Sequence, residues 1–269
     1  MQLQVRGVTH TYGDRGRLWR TNTSPPVLSN ISLSIEEGQC LGLLGTSGAG
    51  KSTLGKIILG LQKPTQGQVL FQNQEIYKLN SRTRRLVRRD VQAVFQNSYA
   101  AVNPRTTAEQ IIGEPLDNYE RLSPQEQKKM IGELLERVGL KPEDMRKYPH
   151  QFSGGQLQRI NIARAIALKP KLIVLDEPVS SLDMINQTLI LTLLNDLKTD
   201  FGLSYLFITH DIKAAYSVSD HLAVMEKGQV VEIYNEKDGI FASSHPTVTY
   251  LLASMLSEHP KHRSIHGAR

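Results

Sequence analysis

The sequence has very little cysteine: its 269 residues include one, Cys40. A single cysteine excludes an internal disulfide and any metal site built from several cysteines. Long hydrophobic runs are also missing. The longest apolar stretches, such as 172–175 and 205–208, have the length of strands and fall far short of the ~18 residues of a membrane-spanning helix. The amino terminus, MQLQVRGVTHTYG, lacks the basic and then apolar layout of a signal peptide, so we expect a cytoplasmic chain.

Charge and composition describe a folded protein without indicating what it does. The net charge is +6, hydrophobic residues make up 39% of the chain and charged residues 22%, which lies within the range of globular domains. A basic balance is compatible with nucleic acid, anionic lipid or a basic solvated surface. The densest basic run is SRTRRLVRRD at 81–90, for which we favour a solvated helix face over a polyanion site.

Hydrophobic periodicity predicts strands that alternate with helices. The first ~80 residues favour strands at LQVRGVTHTY and VLSNISLSI with a loop between them at 13–26, and CLGLLG at 40–45 is typical of a buried strand. Helical spacing follows at STLGKIILGL. Later strands are predicted at GQVLFQNQEI, VQAVFQ, LIVLDE, SYLFITHD and HLAVMEKGQVVEI, and helices at about 107–148, 156–168 and 184–200. This order predicts an α/β fold with a mostly parallel sheet.

The stretch GTSGAGKS at 45–52 fits the phosphate-loop pattern G-x-x-x-x-G-K-S. Its glycines let successive backbone N–H groups turn inward around an anion, and the helix that follows adds its positive end. In such a loop Lys51 reaches the terminal phosphates and the Ser52 hydroxyl binds Mg²⁺. Because the loop follows a predicted buried strand and opens a helix, we predict a phosphate site here.

A second motif, LIVLDE at 172–177, places two acids at the carboxyl end of an apolar strand, which is where ligands bind in open α/β sheets. Asp176 is predicted to lie in the coordination shell of Mg²⁺, and Glu177 to polarise an attacking water. Two buried acids without a cation would be costly, so a purely structural role is disfavoured.

These motifs, together with SGGQ at 153–156, SSLD at 180–183 and THD at 209–211, make the sequence resemble the nucleotide-binding subunit of an ATP-binding cassette (ABC) transporter over about residues 1–235. The resemblance implies a P-loop NTPase (RecA-like) fold, with a mostly parallel core sheet, an N-terminal antiparallel β subdomain and a helical subdomain that carries SGGQ. The implied domains are an ABC ATPase domain at 1–257, with its core at 1–100 and 160–235, its helical subdomain at about 101–159 and its C-terminal strands and helix reaching 257, and then a polar tail at 258–269.

The resemblance also implies ATP and Mg²⁺ as cofactors and gives roles to individual residues. ATP-binding roles fall on Tyr12, which resembles the aromatic that stacks on adenine, and on Gly45, Thr46, Ser47, Gly48, Ala49, Gly50, Lys51, Ser52 and Thr53. Catalytic roles fall on Gln96, Glu177 and His210, and Mg²⁺-binding roles on Ser52, Gln96 and Asp176. One chain has one phosphate loop and one glycine-led helix end, hence two half-sites. Ser153, Gly154, Gly155, Gln156 and Asp183 are therefore implied to act on ATP held by a second cassette.

Two further segments, NSYAAVNPRTT after Gln96 and SSHPTVTYLLASML near the end, resemble the peptide and nickel importer branch of the family. The versions SGGQLQR, AVNPR and VSSLD are closer to its nickel cassettes. The implied protein is an ATPase on the cytoplasmic face of the membrane that powers uptake of nickel or a nickel chelate. Its implied partners are a second cassette, expected to be a paralogue in a heterodimer, two membrane permeases and an extracytoplasmic substrate-binding protein.

Two alternatives stay open at the level of sequence. One is a dipeptide or oligopeptide import ATPase of the same branch. The other is a non-transport cassette that acts on nucleic acid; such proteins generally carry two cassettes or a long coiled-coil insertion, so we expect no nucleic-acid partner. His259, His262 and His266 suggest a nickel site, but Pro260 interrupts any helix there, and we favour a solvated tail.

Overall fold

Two β-sheets organise the chain in the computed structural model, which describes residues 1–12 and 25–254. The smaller sheet is antiparallel, with the strand order β2-β1-β4-β5. Its strands are β1 (Leu3–His10), β2 (Leu28–Ile35), β4 (Gln66–Phe71) and β5 (Gln74–Glu75). The larger sheet has the order β10-β9-β3-β8-β7-β6. Its strands are β3 (Cys40–Gly45), β6 (Val91–Val94), β7 (Leu172–Asp176), β8 (Ser204–Ile208), β9 (His221–Glu226) and β10 (Gln229–Tyr234).

Five neighbouring strands of the larger sheet run parallel, and β10 pairs antiparallel with β9 at its edge. Parallel strands need crossover connections, and helices supply most of them. The helices are α1 (Lys51–Ile58), α2 (Ser81–Asp90), α3 (Ala108–Tyr119), α4 (Pro124–Arg137), α5 (Gly154–Ile166), α6 (Met184–Phe201), α7 (Ile212–Val218) and α8 (Pro246–Ala253). The fold class predicted from the sequence, an α/β fold with a mostly parallel core sheet and an N-terminal antiparallel sheet, is confirmed.

Strand β7 shows why the central strands are apolar throughout. Successive side chains of a strand point to opposite faces of the sheet, and both faces of this sheet are covered. Ile173 and Leu175 join the core on the side of the helical region, whereas Leu172 and Val174 join the core that contains α1 and the antiparallel sheet. All four are buried.

The middle third of the chain is helical, as its pattern predicts. Capping boxes begin both α3 and α4: Thr107 pairs with Gln110, and Ser123 pairs with Glu126. Apolar residues of α3, α4 and α5 share one core. The domain boundary predicted between residues 159 and 160 falls inside α5.

The basic run at 81–90 forms α2, none of whose residues is buried. Several of its arginines contact their own chain: an Arg89 nitrogen lies 2.7 Å from Glu120, and the Arg85 guanidinium lies 4.9 Å from the centre of the Tyr119 ring. This agrees with the solvated helix face predicted from the sequence. Within the described residues, no helix is both long and apolar enough to cross a bilayer.

The strand predicted at GQVLFQNQEI needs correction, and some other predictions fall on residues outside those described. GQVLFQNQEI forms the hairpin of β4 and β5, because Gln72 and Asn73 have φ values of 47° and 63° that turn the chain back on itself. Residues 13–24, which make up most of the predicted loop at 13–26, and residues 255–269 lie outside the described residues. The latter include the predicted end of the last helix at 257, the predicted polar tail at 258–269 and its histidines.

Candidate functional site

The carboxyl ends of β3, β7 and β8 bring the predicted phosphate loop, acids and histidine to one edge of the sheet. In the register, Ile208 at the end of β8 pairs with Leu43 of β3 and with Asp176 at the end of β7. The segment after each strand therefore begins at about the same level. In open α/β sheets this edge is where ligands bind.

The phosphate loop is shaped by its first glycine and by the uncapped start of α1. A Cβ on Gly45 would lie 2.3 Å from the Met225 carbonyl oxygen, and its φ is 153°, so a side chain is excluded there. Gly50 occupies the N-cap position of α1 and provides no side-chain hydrogen bond. The N–H groups of the first helical turn are thus left for an anion.

Lys51 is buried and bends back onto the loop. Its Nζ donates hydrogen bonds to the carbonyl oxygens of Gly45, at 2.6 Å, and Thr46, at 3.0 Å. Burial lowers the pKa of the Lys51 ammonium, and the negative charges of Glu177 and Asp176 oppose that shift. A polyphosphate in the loop would add further negative charge beside this ammonium.

Ser52 and Asp176 place two hard oxygen donors side by side. The Ser52 hydroxyl donates to Asp176 Oδ1 at 3.1 Å. Burial raises the pKa of the Asp176 carboxyl, the neighbouring Glu177 charge raises it further, and the Ser52 hydrogen bond and Lys51 lower it. A hydroxyl and a carboxylate are oxygen donors that fit Mg²⁺, which accepts few protein ligands. The charge of such a cation would also stabilise the ionised form of Asp176, which burial disfavours. Within the described residues no group of three or more His, Cys, Asp or Glu side chains is arranged to hold a metal.

Glu177 is held in one orientation by its backbone and by two neighbours. Its φ is 51°, uncommon for a residue with a side chain, and its N–H donates to the Ile208 carbonyl oxygen at 2.9 Å. Glu177 Oε1 lies 2.9 Å from His210 Nδ1, and Oε2 lies 3.4 Å from the Thr209 hydroxyl. Such strain at a ligand-facing carboxylate is a feature of functional sites.

Gln96 joins the same group through a hydroxyl. Its Nε2 donates to Ser180 Oγ at 3.2 Å, and Ser180 Oγ donates to the backbone oxygen of Glu177, also at 3.2 Å. The segment after β6 is therefore linked to the segment after β7. No sequence signal indicated Ser180 as a partner of Gln96.

A cleft of about 620 Å³ opens at this edge. Predicted residues that line it are the loop from Thr46 to Thr53, Gln96, Glu177 and His210. Gly45 and Asp176, at the ends of β3 and β7, are not among its lining residues. Sequence reasoning missed Val27, and it missed Tyr250, Leu251 and Ser254, which α8 and its C-cap contribute. The segment SSHPTVTYLLASML was recognised only as a mark of a family branch.

Tyr12 lies beside the cleft, next to Thr53, the last residue of the phosphate loop that lines the cleft. The Tyr12 hydroxyl is 3.2 Å from Thr53 Oγ1 and 3.2 Å from Gln62 Oε1. Its ring packs edge-on against His10, with 5.0 Å between the ring centres, and half of the residue is exposed. An exposed aromatic beside a phosphate loop suits adenine stacking, which stays a prediction.

The SGGQ segment does not line the cleft of its own chain. It forms the start of α5, where Ser153 Oγ accepts from the Gln156 N–H and Gln156 Oε1 accepts from the Ser153 N–H. A Cβ on Gly155 would lie 2.5 Å from Asn186 Oδ1, whereas a Cβ on Gly154 would meet nothing closer than Leu182, at 3.7 Å. Gly155 is therefore packed against its own chain, and Gly154 has room beside it.

Asn186 links this segment to Asp183. The Asp183 carboxylate caps α6 by accepting from the Asn186 backbone N–H at 2.9 Å, and its other oxygen accepts from Asn186 Nδ2 at 2.6 Å. These bonds lower the pKa of Asp183. No sequence signal pointed to Asn186, because only the fold brings it against Gly155.

Comparison with protein families gives a match to the ABC transporter family over residues 28–180. The oligopeptide transport ATP-binding protein AppF of Bacillus subtilis is 40% identical over 255 residues, which cover 94% of this chain and 78% of AppF. The nickel import ATP-binding protein NikE of Escherichia coli is 42% identical over 230 residues, which cover 86% of this chain and 85% of NikE.

Solved structures give a similar result. A dimeric post-hydrolysis structure of the ATP-binding cassette MJ0796 with ADP and Pi has a TM-score of 0.76 and 32% identity, covering 87% of this chain and 99% of that one. The CbiO1 structure from Clostridium perfringens, part of the ABC transporter complex CbiONQ, has a TM-score of 0.78 and 28% identity, and 90% of each chain is covered.

The raised pKa of Asp176 predicts a stability cost that Asp176→Asn removes. A folded-state pKa above the unfolded value means that ionisation opposes folding, and this cost is absent at low pH, where both states are protonated. We expect Asp176→Asn to raise the free energy of unfolding of the ligand-free chain at pH 7, with the gain shrinking as the pH falls toward about 4. Urea unfolding of both proteins across this range measures it.

Asp183→Asn is the control of opposite sign, because hydrogen bonds lower the pKa of Asp183. Its ionised form contributes stability above the ordinary carboxyl pKa, and that stability is lost as the pH falls through the lowered value. We therefore expect Asp183→Asn to reduce stability at pH 7. A chain made less stable by Asp176→Asn at pH 7 would contradict the proposed electrostatic cost.

Two adjacent glycines provide a matched test of the start of α5. Gly155→Ala should lower the free energy of unfolding by about 1–3 kcal/mol, because its methyl group collides with Asn186. Gly154→Ala should leave stability within about 1 kcal/mol of the wild type, since alanine favours a helix and the space is open. Equal effects in denaturant unfolding would show that Asn186 does not constrain Gly155.

Proposed function

Since the chain belongs to the ABC transporter family and is the ATP-binding, ATP-hydrolysing subunit of an importer, we propose that its cleft binds ATP with Mg²⁺ and that Glu177 drives hydrolysis at a site closed by a second cassette. The observation that carries this proposal is a single cleft lined by Lys51, Ser52, Gln96, Glu177 and His210.

The phosphate loop binds the triphosphate through its backbone N–H groups and through Lys51. Lys51 donates to two loop carbonyls, and phosphate binding would exchange these neutral acceptors for phosphate oxygens. Charge-assisted hydrogen bonds are about twice as strong as neutral ones, which favours the exchange. Phosphate would also stabilise the protonated form of Lys51, which burial disfavours.

Ser52, Asp176 and Gln96 would hold Mg²⁺ beside the phosphates. When bound, the ion supplies charge stabilisation for the phosphoryl group during its transfer. Ser52 and Asp176 already lie within hydrogen-bonding distance of each other, and Gln96 lines the same cleft. Ser52 and Asp176 would exchange their mutual hydrogen bond for contacts to the cation, and Gln96 would exchange its bond to Ser180.

Glu177 is positioned to orient and deprotonate the attacking water. Its carboxylate faces the cleft, and its contacts with Thr209 and His210 fix its direction. A positioned general base contributes about 10²- to 10⁴-fold to a reaction. In our proposal His210 changes its contact from Glu177 to the γ-phosphate once ATP is bound.

The second cassette completes the site with its own Ser153, Gly154 and Gly155. In one chain this helix end lies outside the cleft, although its N–H groups and the open space at Gly154 suit an anion. Asp183, joined to the same segment by Asn186, would link the two sites. ATP then holds two cassettes together, and loss of the γ-phosphate lets them separate.

For the cargo, we propose nickel or a nickel chelate, with peptides as the second candidate. The segments SGGQLQR, AVNPR and VSSLD favour nickel, whereas the relatives support both cargoes equally, at 40% identity for AppF and 42% for NikE. In either case the chain would associate peripherally with two membrane permeases, pair with a paralogous cassette and depend on an extracytoplasmic binding protein.

Replacing Glu177 by glutamine tests the catalytic assignment. We expect Glu177→Gln to lower ATP turnover by about 100-fold or more, because the amide cannot accept a proton from water, and to leave an ATP-bound dimer that size-exclusion chromatography detects. Glu133→Gln, on the exposed face of α4, is the control and should keep wild-type turnover. Turnover near the wild-type level in Glu177→Gln would refute the role of Glu177.

Uptake by the assembled transporter tests the cargo. With its permeases and binding protein in proteoliposomes, the chain should support ATP-dependent uptake of nickel above that of oligopeptides, and Lys51→Ala should abolish it because the ammonium that binds phosphate is gone. Peptide uptake without nickel uptake would instead assign the chain to peptide import.

A further inference from the structure

We propose that α8 belongs to the nucleotide site, and that Tyr250 on α8 contacts ATP bound in the cleft; this rests on the proposed function above. The observation behind it is that Tyr250, Leu251 and Ser254 line the same cleft as Lys51, Ser52 and His210.

Helix α8 contacts both the core and the cleft. Val248 and Leu251 are buried in the main core, which fixes the helix against the body of the protein. Tyr250 is 67% exposed although it borders a cleft. An exposed aromatic with a hydroxyl offers a flat apolar face and a hydrogen-bonding group, both of which suit a nucleotide.

The start of α8 is hydrogen-bonded to the end of β9. The Thr247 hydroxyl donates to Glu226 Oε2 at 2.7 Å, and His245 caps the helix by accepting from the Thr247 N–H at 3.2 Å. Just before the helix, the Ser243 hydroxyl donates to Glu232 at 2.7 Å. The position of Tyr250 is therefore set by contacts to β9 and β10.

The phosphate loop is hydrogen-bonded to the turn that follows β9. Gly228, two residues after Glu226, donates its N–H to the Ala49 carbonyl oxygen at 3.1 Å and accepts from the Ser29 N–H at 2.8 Å. The end of β9 and the turn after it thus bind Thr247 of α8 through Glu226 and Ala49 of the phosphate loop through Gly228. A loop that closes around phosphate and a helix that borders the cleft share this support, so α8 is fixed in place relative to the bound nucleotide.

Calorimetric titration of the full-length chain with ATP and Mg²⁺ tests the contact. We expect Tyr250→Ala to weaken binding by about three- to tenfold, the size expected for losing one aromatic contact. Phe241→Ala is the matched control, because Phe241 is an exposed aromatic just before α8 that does not line the cleft. It should bind ATP as the wild type does.

A second measurement needs no substitution. Hydrogen exchange of the α8 backbone amides in the wild-type chain should slow when ATP is added, because contact with Tyr250 holds the helix in place. Unchanged exchange in α8, with slower exchange in the phosphate loop, would count against the proposal.

Lys51→Ala separates failure of this inference from failure of the proposed function. If the wild type binds ATP, Lys51→Ala does not and Tyr250→Ala binds normally, the Tyr250 contact is refuted and the ATP site stands. Normal ATP binding by Tyr250→Ala with loss of dimer formation also refutes it, and assigns Tyr250 to the cassette interface. If the wild type binds no ATP, the proposed function fails first.

Discussion

The parallel sheet brings separate segments of the chain to one edge, and the whole site depends on this arrangement. Ile208 pairs with both Leu43 and Asp176. The loop after β3, the acids at the end of β7 and the histidine after β8 therefore meet directly where their strands end. The hydrogen bonds from Ser52 to Asp176 and between Glu177 and His210 cross between these segments. A slip of one residue in the register would separate the pairs and reverse the faces of the strand.

The electrostatics of the site suits an anion beside Lys51 and a cation beside Asp176. Burial raises the pKa of Asp176 and lowers that of Lys51, so each ionised form is disfavoured where it stands. In the proposed site, the phosphates of ATP would stabilise the charge of Lys51, and a cation would stabilise that of Asp176. Perturbed pKa values of this kind are common at functional sites.

The sequence predicted the site wherever local pattern carries the chemistry. The loop GTSGAGKS and the acids that end LIVLDE were predicted from motifs beside apolar strands, whereas His210 was assigned only by resemblance to the family. The structure brings these three segments to one edge of the sheet. Contacts between distant segments had no such signal: Asn186 against Gly155, Ser180 beside Gln96, and Tyr250 in the cleft depend on packing. Gln72 and Asn73 were missed because positive φ in residues other than glycine leaves a weak pattern.

The central claim is that one chain holds ATP and another completes the site, because SGGQ lies outside the cleft of its own chain. The most direct measurement is an experimental structure of the hydrolysis-competent assembly with ATP and Mg²⁺ bound. The account predicts that Ser153 Oγ and the Gly155 N–H of one cassette lie within about 3 Å of the γ-phosphate held by Lys51 of the other. A γ-phosphate contacted only by residues of a single chain would contradict it.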